Sequence, residues 1–566
     1  MKKQTVKVLS LLIVSGALAT GCQLLKDVDY VATPNPLEMH GDSVRVSVAI
    51  TFPEKGIHRK AAAEIVPMLG THALKTIRIQ GEKSTGNGEV IQYKAGGYVT
   101  YTDMFAYSAD MENSDLSITG KIYKGEKEKG EIPATKIADA TIITSLLVNK
   151  DFKVIVAKDQ FHRVTEETFM SQINYAKGKS AVSTSEMRQD DIVAFEAFLN
   201  NAQTDAKVSI KSINITGYAS PEGEEDKNNT LSTDRANAGK ESSMKLGKKA
   251  ENEAATGEDV YSLKGSGEDY DGFKVALEND STMNEDDKNL VLRVLSTITN
   301  STEREQAMRD LGKTFTYLDK NIFPALRRAE MIAVYDQTGF SDEELIALST
   351  SNPDTLNLEE LLFTAALSTD LNEQLRVYKI AEGRYADDYR AMNNVGAVLY
   401  MQNKVSEAKS QFEKANGVED NVISKNNLAA IAGLAGEREK SMELLGQASG
   451  AGSEVSYNKG ILNIQDGDYA DAISNFGSDA SFNKALAEVL NDNASNAVTT
   501  LDASADAETA QGYYLKAVAA ANQDDLQGIV NNLKSCFAKD GSYKAKAGKD
   551  REFMKYMADP AFTALM

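Results

Sequence analysis

The N-terminal part of the chain alternates hydrophobic and polar residues one by one. Residues 44–50 alternate in this way, and the pattern returns at 75–79 and 98–101, with glycine-rich turns between the runs. A period of two predicts strands that bury one face and expose the other. We therefore expect an all-β, sandwich-like region over residues 37–165.

The pattern changes near Ile173, where strand-like runs begin to alternate with helix-like ones. Ile192 and Phe195 recur at helical spacing, and residues 208–215 follow as a continuous strand candidate. Both periodicities in one stretch predict a central α+β domain, which we place at residues 166–337.

Beyond Gln337 the chain becomes rich in alanine, leucine and asparagine with helical periodicity. Small residues and one bulky residue recur at a fixed spacing, as in Gly396, Ala408, Phe412 and Ala415. The successive copies begin at Leu362, Gly396, Ala429, Gly460, Ala485 and Ala517. This register resembles the tetratricopeptide repeat, whose period is about 34 residues.

The resemblance implies an all-α solenoid over residues 345–566, with a groove for a peptide or a partner domain. Phe553 and Phe562 belong to a predicted C-terminal cap, and Cys536 falls on a small-residue packing position. We expect its thiol to be buried and inert. A non-repeating helical bundle is the alternative, suggested mainly by the short copy that begins at Gly460.

The N-terminus has the layout of a secretion signal. Lysines precede an apolar run at residues 8–19, which is too short for a membrane span, and small residues lead into Cys22. This segment resembles a bacterial lipobox, although Ala19 stands where the lipobox prefers leucine. The resemblance implies a removed signal (1–21), a tether (22–36) and an acylated Cys22, whose several lipid chains anchor stably. An ordinary signal followed by a chance cysteine is the alternative.

A dense motif follows the predicted strand at 208–215. Its framework residues are Gly217, Gly223, Asn228, Leu231, Ser232, Arg235 and Ala236. They resemble, without a gap, the signature of the OmpA-like peptidoglycan-binding domain. The central domain is thus identified by resemblance as OmpA-like.

That resemblance implies a site for diaminopimelate of the peptidoglycan stem peptide, which presents an ammonium and a carboxylate. Arg235 matches the arginine that holds the carboxylate with its planar fork, and Asn228 matches the asparagine that shapes the pocket. The sequence departs at the anion, because Ser220 stands at the aspartate position and Tyr218 at the usual histidine. Glu222 is a candidate replacement for the missing anion.

An ordinary structural role for the arginine stays open. In this alternative, Arg235 lies on the helix surface and pairs with Asp234 or Glu241. Loss of a charged hydrogen-bond partner lowers affinity by roughly tenfold to a hundredfold, so the change at Ser220 bears directly on wall binding.

Residues 240–325 exceed the minimal OmpA-like domain and resemble the helical insert of its Bacteroidota versions. Within them, residues 265–267 read Gly-Ser-Gly and indicate a lone turn in a polar linker. Arg327 and Arg328 resemble the paired arginines before the last strand and mark the domain boundary. Residues 36–42 resemble the N-terminal part of Bacteroidota outer-membrane proteins that carry such a module.

Composition narrows the function classes. The 566 residues suit several domains, and 62 Lys and Arg against 83 Asp and Glu give a net charge of -21, which argues against nucleic acid as a partner. Two cysteines and four histidines leave no disulfide framework and no zinc cage. We also find no nucleophile elbow, metalloprotease motif or phosphate loop, so we expect neither an enzyme nor a cofactor beyond the lipid on Cys22.

These features predict a lipid-anchored protein of the cell outer membrane that faces the periplasm. It would link the membrane to peptidoglycan through the OmpA-like domain and scaffold a protein partner through the repeats. The alternative is an accessory subunit of an outer-membrane machine, for β-barrel assembly or secretion, with weak or lost wall binding. Surface exposure is left open.

Overall fold

The computed structural model describes residues 24–566. Described residues up to Lys158 form one compact unit together with Asp370–Met566, and Asp159–Thr369 form a second unit. Cys22 and the predicted signal lie outside the described residues. In the part of the chain that the structure describes, no helix has the length and apolar character that crossing a membrane requires.

The first unit begins with a β region. Its strands are β1 (Asp29–Thr33), β2 (Met39–His40), β3 (Ser43–Phe52), β4 (Ala61–Leu69), β5 (His72–Ala73), β6 (Ile77–Gly81), β7 (Glu89–Ile91), β8 (Gly97–Ala106), β9 (Asp115–Lys124) and β10 (Lys127–Asp139). In one sheet β3 pairs with β1, β2 and β8, while the other has the order β10-β9-β4-β6-β7, with β5 beside β4. Alternate residues of β3 and β4 are buried in one core that both sheets share. The predicted β region is confirmed.

Strand β1 lies where the sequence predicted a tether, residues 22–36. It pairs antiparallel with β3, from Asp29 opposite Thr51 to Thr33 opposite Ser47. Only Ala32 of this strand is fully buried. Because one buried residue leaves no alternation of hydrophobic and polar positions, the strand carries no signal in the sequence.

The second unit contains one mixed sheet. Its strands are β11 (Val164–Asn174), β12 (Val208–Ala219), β13 (Tyr261–Glu268) and β14 (Arg328–Thr338), in the order β11-β14-β12-β13. The helices of this unit are α1 (Asp190–Thr204), α2 (Glu225–Lys249), α3 (Tyr270–Asn279), α4 (Glu285–Thr297), α5 (Ser301–Arg309), α6 (Lys313–Asn321), α7 (Phe323–Leu326), α8 (Asp342–Ser351) and α9 (Leu358–Leu367). Residues of α1, α2 and the sheet share one core, while α3 to α7 have a core of their own.

Strand β13 corrects the prediction for residues 240–325. The stretch is not wholly helical, because Tyr261–Glu268 pairs in parallel with β12 and includes the Gly-Ser-Gly that suggested a turn. Most of its side chains are exposed at the sheet edge, so the hydrophobic signal of a strand is missing. A Cβ atom at Gly265 would lie 2.3 Å from Oγ1 of Thr233 on α2, and glycine therefore allows this close packing.

The rest of the first unit is helical. Its helices are α10 (Leu371–Arg384), α11 (Tyr389–Met401), α12 (Val405–Val418), α13 (Val422–Leu434), α14 (Arg438–Gln447), α15 (Ser453–Asp466), α16 (Tyr469–Phe476), α17 (Phe482–Leu490), α18 (Ala494–Asp502), α19 (Ala510–Asn522), α20 (Leu526–Lys539), α21 (Tyr543–Ala547) and α22 (Pro560–Thr563). From α11 to α20, each odd-numbered helix packs as a hairpin against the next.

The repeat positions lie inside these hairpins. Ala408, Phe412 and Ala415 of α12 are buried, and so are Ala485, Ala497 and Leu501 of the copy in α17 and α18. The short copy beginning at Gly460 reflects the short helix α16, which has 8 residues against 14 in α12. The predicted array of helical hairpins is confirmed.

The predicted cap closes the last hairpin. Phe553 and Phe562 are buried, and the Phe553 ring lies 5.9 Å from the ring of Tyr514 on α19. Cys536 is fully buried, and burial raises the pKa of its thiol to about 11. At neutral pH it is therefore a protonated packing residue, as predicted.

Candidate functional site

The predicted site residues of the second unit gather where β12 ends and α2 begins. We call the group formed by Tyr218, Ser220, Glu222, Asn228 and Arg235 the charged pocket. Ser220, Asn228 and Arg235 are 4%, 5% and 1% exposed, and the Glu222 side chain is 8% exposed. The structure thus brings together the residues that the motif selected.

Close packing of β12 on α2 fixes this arrangement. A Cβ atom at Gly217 would lie only 1.9 Å from the carbonyl oxygen of Ser232, so the strand and the helix touch through their backbones. In the next turn of α2, Arg235 points beneath the strand end and not into solvent. The glycine of the motif therefore has a packing reason that does not depend on a ligand.

Arg235 is held by backbone and aromatic contacts. Its Nε donates to the carbonyl of Lys179 at 3.1 Å, and one Nη donates to the carbonyl of Tyr218 at 2.7 Å. The guanidinium carbon lies 5.3 Å from the centre of the Tyr175 ring. Burial lowers the pKa of Arg235 to about 10, so the group stays charged at neutral pH. Its described partners differ from the pairing with Asp234 or Glu241 that a surface arginine would make.

Glu222 supplies the buried anion that Ser220 lacks. Its Oε1 accepts from Nε of Arg327 at 2.9 Å and lies 2.9 Å from Nη2 of the same arginine. The other oxygen, Oε2, is buried and has no hydrogen-bond partner among the described residues. A buried carboxylate oxygen is costly to leave unpaired.

Ser220 has a supporting role in this network. Its Oγ accepts from Nε of Arg327 at 3.3 Å, and its carbonyl accepts from Nδ2 of Asn228 at 3.2 Å. The same Nδ2 donates to Oε1 of Glu268 at 2.7 Å, which ties the turn to the end of β13. Burial raises the pKa of the Glu268 carboxyl. Asn228 therefore shapes the turn, as the resemblance implies.

Paired arginines complete the rim. Arg327 also donates to Oδ1 of Asp319 at 2.7 Å, and Arg328 donates to Oδ2 of Asp269 at 2.6 Å. The Arg328 guanidinium lies 4.4 Å over the ring of Tyr218, so the tyrosine at the usual histidine position faces a cation. The sequence associated these arginines with the domain boundary only. Two adjacent arginines before an apolar strand require acidic partners. This requirement is the sequence feature from which their place in the pocket could have been predicted.

Within residues 24–566, no group of three or more His, Cys, Asp or Glu residues is arranged to hold a metal ion.

The predicted binding groove of the repeats lies in the first unit. We call the surface lined by α11, α13, α15 and α17 the repeat groove. It holds residues 149–157 of the same chain, which form neither helix nor strand and which we call the groove segment. The sequence placed these residues in the β region, so the structure moves the end of that region to Asp139, the last residue of β10.

No protein-family model matches the chain, and no curated protein matches it. Among solved structures, a tetratricopeptide repeat protein from Parabacteroides merdae ATCC 43184 is 13% identical, covers 44% of this chain and 99% of its own, and has a TM-score of 0.28.

Two further solved structures are similar. Yeast Tom70 is 13% identical, covers 52% of this chain and 72% of its own, and has a TM-score of 0.25. The APC/C hetero-tetramer Cut9-Hcn1 is 14% identical, covers 61% of this chain and 77% of its own, and has a TM-score of 0.26. Because these scores are low, the assignment of helical repeats rests on the hairpins and their buried positions alone.

Proposed function

We propose that this protein binds the stem peptide of peptidoglycan through the charged pocket of its second unit. The observation that carries the proposal is the buried, unpaired Oε2 of Glu222. The sequence offered Glu222 as a candidate for the missing anion of an OmpA-like site, and its buried carboxylate lies within the same turn. The ammonium of diaminopimelate is the donor that we assign to this oxygen.

Arg235 serves the other end of the ligand. Two of its contacts go to backbone carbonyls, and a guanidinium has five N–H donors in a planar fork. The remaining donors suit the carboxylate of diaminopimelate, while the backbone contacts fix the direction of the fork. A zwitterionic head would thus meet an anion and a cation at fixed separation.

Titration calorimetry of the full chain with a diaminopimelate-containing muropeptide tests this proposal. We expect Glu222→Gln to lower affinity roughly tenfold to a hundredfold, because one charged hydrogen bond is lost. Glu224→Gln is the matched control, since Glu224 lies in the same turn but is exposed and pairs with Lys227. Equal affinity of the native chain and Glu222→Gln, or loss in the control alone, would contradict the assignment.

The ligand can be varied as well. A muropeptide with lysine in place of diaminopimelate keeps the ammonium and lacks the carboxylate. We expect it to bind more weakly to the native chain and to be indifferent to Arg235→Lys. If both ligands bind equally, Arg235 holds no carboxylate.

We further propose that Cys22 carries the lipid anchor in the outer membrane and that the body of the protein faces the periplasm. The lipobox resemblance supports this proposal. Cys22→Ser should abolish incorporation of labelled palmitate and move the protein from the membrane to the soluble fraction. Unchanged membrane association of this variant would refute the anchor.

The repeats are proposed to scaffold a protein partner, because stacked hairpins present extended surfaces. The groove segment fills the repeat groove, so we assign the partner to exposed helix faces elsewhere on the hairpins. The protein as a whole would then have a binding role and no catalytic one.

An accessory subunit of an outer-membrane barrel machine is the second candidate. It is favoured by the ion pairs of Arg327 and Arg328, which already neutralise three acidic residues near the pocket. Gentle detergent extraction followed by mass spectrometry separates the two functions. A stoichiometric barrel complex without peptidoglycan pull-down supports the subunit, and pull-down of a free chain supports the tether.

A further inference from the structure

The groove segment is bound mainly by asparagine side chains, four of which recur at the same position of successive hairpins. We call the set Asn394, Asn427, Asn458 and Asn483, from α11, α13, α15 and α17, the asparagine ladder. All four side chains are buried. Each belongs to the first helix of its hairpin, so the repeating helices present amides at regular intervals along the groove.

Each ladder amide forms a pair of hydrogen bonds with one residue of the segment. Asn394 Oδ1 accepts from the backbone N–H of Ala157 at 2.7 Å, and its Nδ2 donates to the carbonyl of Ala157 at 2.9 Å. Asn427 does the same with Ile155, at 2.7 and 2.8 Å. Each amide thus acts as one residue of a neighbouring β-strand would.

The pattern continues along the groove. Asn458 pairs with the backbone of Lys153 at 2.7 and 2.8 Å, and Asn483 pairs with Asn149 at 2.8 and 2.9 Å. Asn483 also donates to Oδ1 of Asp151 at 2.9 Å. From Lys153 to Ala157, alternate residues are therefore contacted through their backbones, which is the period of an extended chain, while at Asp151 the contact is made to the side chain.

Phe152 adds a side-chain anchor. It is 2% exposed, and a Cβ atom at Gly433 would lie 2.5 Å from its ring, so glycine makes the space for it. The Tyr400 hydroxyl donates to the carbonyl of Phe152 at 2.8 Å. Lys150 is exposed, whereas the ammonium of the half-exposed Lys153 lies 3.6 Å from the centre of the Tyr457 ring on α15 and 3.7 Å from Oδ2 of Asp479.

The ladder is also braced from within. Asn427 donates to Oδ1 of Asn393 at 2.9 Å, and Asn458 donates to Oδ1 of Asn426 at 3.1 Å. These contacts fix the amide orientation before any ligand arrives. Without an extended chain in the groove, the buried ladder amides would lose their partners, so an occupant is required for stability.

We propose that the repeat groove is a binding site for an extended polypeptide, held mainly through its backbone and anchored by one aromatic side chain, and that the chain's own groove segment is its resident ligand. A tethered ligand competes at high effective concentration, so the groove is closed to free peptides in the intact protein. The segment also ties the β region, which ends just before it, to the repeats of the same unit.

A replacement experiment in the full chain tests this proposal. In the exchanged chain, Phe152 is replaced by serine, and proline, which has no N–H for the ladder, replaces each of Asn149, Lys153, Ile155 and Ala157. A labelled synthetic peptide with the natural sequence of residues 148–158 is then added. Fluorescence anisotropy should show binding to the exchanged chain and at least about tenfold weaker binding to the native chain. A peptide with aspartate at the Phe152 position should bind less than the natural one.

Two outcomes overturn the proposal. Native and exchanged chains that bind the peptide equally would show that the segment does not occupy the groove. An exchanged chain that keeps its helical circular dichroism and does not bind the peptide would show that the groove is no peptide site.

A second measurement does not depend on folding of the exchanged chain. Trypsin needs an extended, accessible backbone, and the ladder holds the backbone at Lys153 although its side chain is exposed. We expect slow cleavage there in the native chain and cleavage at least about tenfold faster in Asn458→Ala. Asn463→Ala is the matched control on the same helix, because Asn463 is buried and bonds Asn475 instead. Fast cleavage in the native chain, or equal acceleration in both variants, overturns the proposal.

Discussion

The charged pocket of the second unit and the repeat groove of the first unit recognise polar groups in opposite ways. The pocket uses full charges, with Glu222 and Asp269 held by Arg327 and Arg328 at 2.6–2.9 Å. The groove uses neutral amides that pair with the backbone of the chain itself. Charges suit the ends of a small zwitterion, whereas amides suit a long chain whose sequence matters little.

The two sites also differ in completeness. Every ladder asparagine has its donor and its acceptor engaged by the groove segment, while Glu222 keeps one buried oxygen without a described partner. A satisfied site stabilises the fold that contains it, and an unsatisfied one favours a ligand. The pocket is therefore the better candidate for binding an external ligand. The repeats were first connected with binding only through their resemblance to tetratricopeptide repeats.

The largest effect is expected from removal of one charge at the pocket rim. Asp269→Asn keeps the cap that Asp269 forms on α3, because asparagine can also accept from the N–H of Gly272. It removes the partner of Arg328, whose side chain is 13% exposed and still contacts Glu330. We expect a loss of about 3 kcal/mol, as for other broken buried ion pairs.

Hydrogen exchange with mass spectrometry measures this loss unit by unit. Peptides from Asp159–Thr369 should lose protection, and peptides from the repeats should keep theirs. Lys227→Gln, which removes an exposed pair with Glu224, is the control and should change little. An unchanged second unit in Asp269→Asn would show that the rim charges are not structural.

The next effect concerns the neutral site. Asn427→Ala leaves the backbone N–H of Ile155 without its side-chain acceptor inside the groove, while the Ile155 carbonyl keeps Nδ2 of Asn393 as a donor at 3.0 Å. We expect about 2 kcal/mol of destabilisation of the first unit, seen as faster exchange in the groove segment. Asn463→Ala should have a smaller effect on that segment. If both variants affect it equally, the ladder does not hold the segment more firmly than ordinary packing does.

A smaller effect should depend on pH in the first unit. Burial, with the nearby Asp550 carboxylate, raises the pKa of Glu552 to about 8, and its carboxyl accepts from the Thr144 hydroxyl at 2.5 Å. The raised pKa means that its contribution to stability is complete below the ordinary pKa of 4.5 and is lost as pH rises through about 8.

Glu552→Gln should remove this dependence. The native chain should lose stability between about pH 5 and pH 9, and the variant should be more stable than the native chain at the upper end by about 1 kcal/mol. Thermal unfolding followed by circular dichroism at both pH values measures the difference. Parallel pH profiles of the two proteins would contradict the assignment. The asparagine ladder has no titrating group and should contribute nothing to the profile.

The sequence selected the residues of the charged pocket but none of the ladder asparagines. The motif found Ser220, Asn228 and Arg235, since these positions are contiguous in the pattern. The motif could not show that the Glu222 carboxylate is the buried anion. Burial of this carboxylate depends on its contact with Arg327, which lies more than 100 residues further along the chain. Asp269 is hidden in a similar way, because it lies 59 residues before its partner Arg328.

The ladder asparagines also recur at a fixed position in the sequence, but the tetratricopeptide register is defined by its small and bulky residues and does not include them. Asn394, Asn427, Asn458 and Asn483 each stand two positions before the small residue that begins a repeat copy. A polar residue repeated at one register position of a helical array indicates a ligand or a structural hydrogen bond. What the sequence could not show is the occupant, because residues 149–157 find their partners far along the chain.

The smallest expected effect separates the two sites by salt. In the proposed muropeptide site Glu222 and Arg235 would act on the ligand through charge, so higher ionic strength should weaken muropeptide binding by about twofold to threefold. The amide contacts of the groove segment carry no net charge, and protection of that segment from trypsin should not change over the same range. Calorimetry and proteolysis at low and high sodium chloride measure the two responses side by side. Salt-independent muropeptide binding would show that the pocket recognises its ligand without these charges. Salt-dependent release of the groove segment would show that the charged side chains of Lys153 and Asp151 hold the segment more firmly than the amides of Asn458 and Asn483 do.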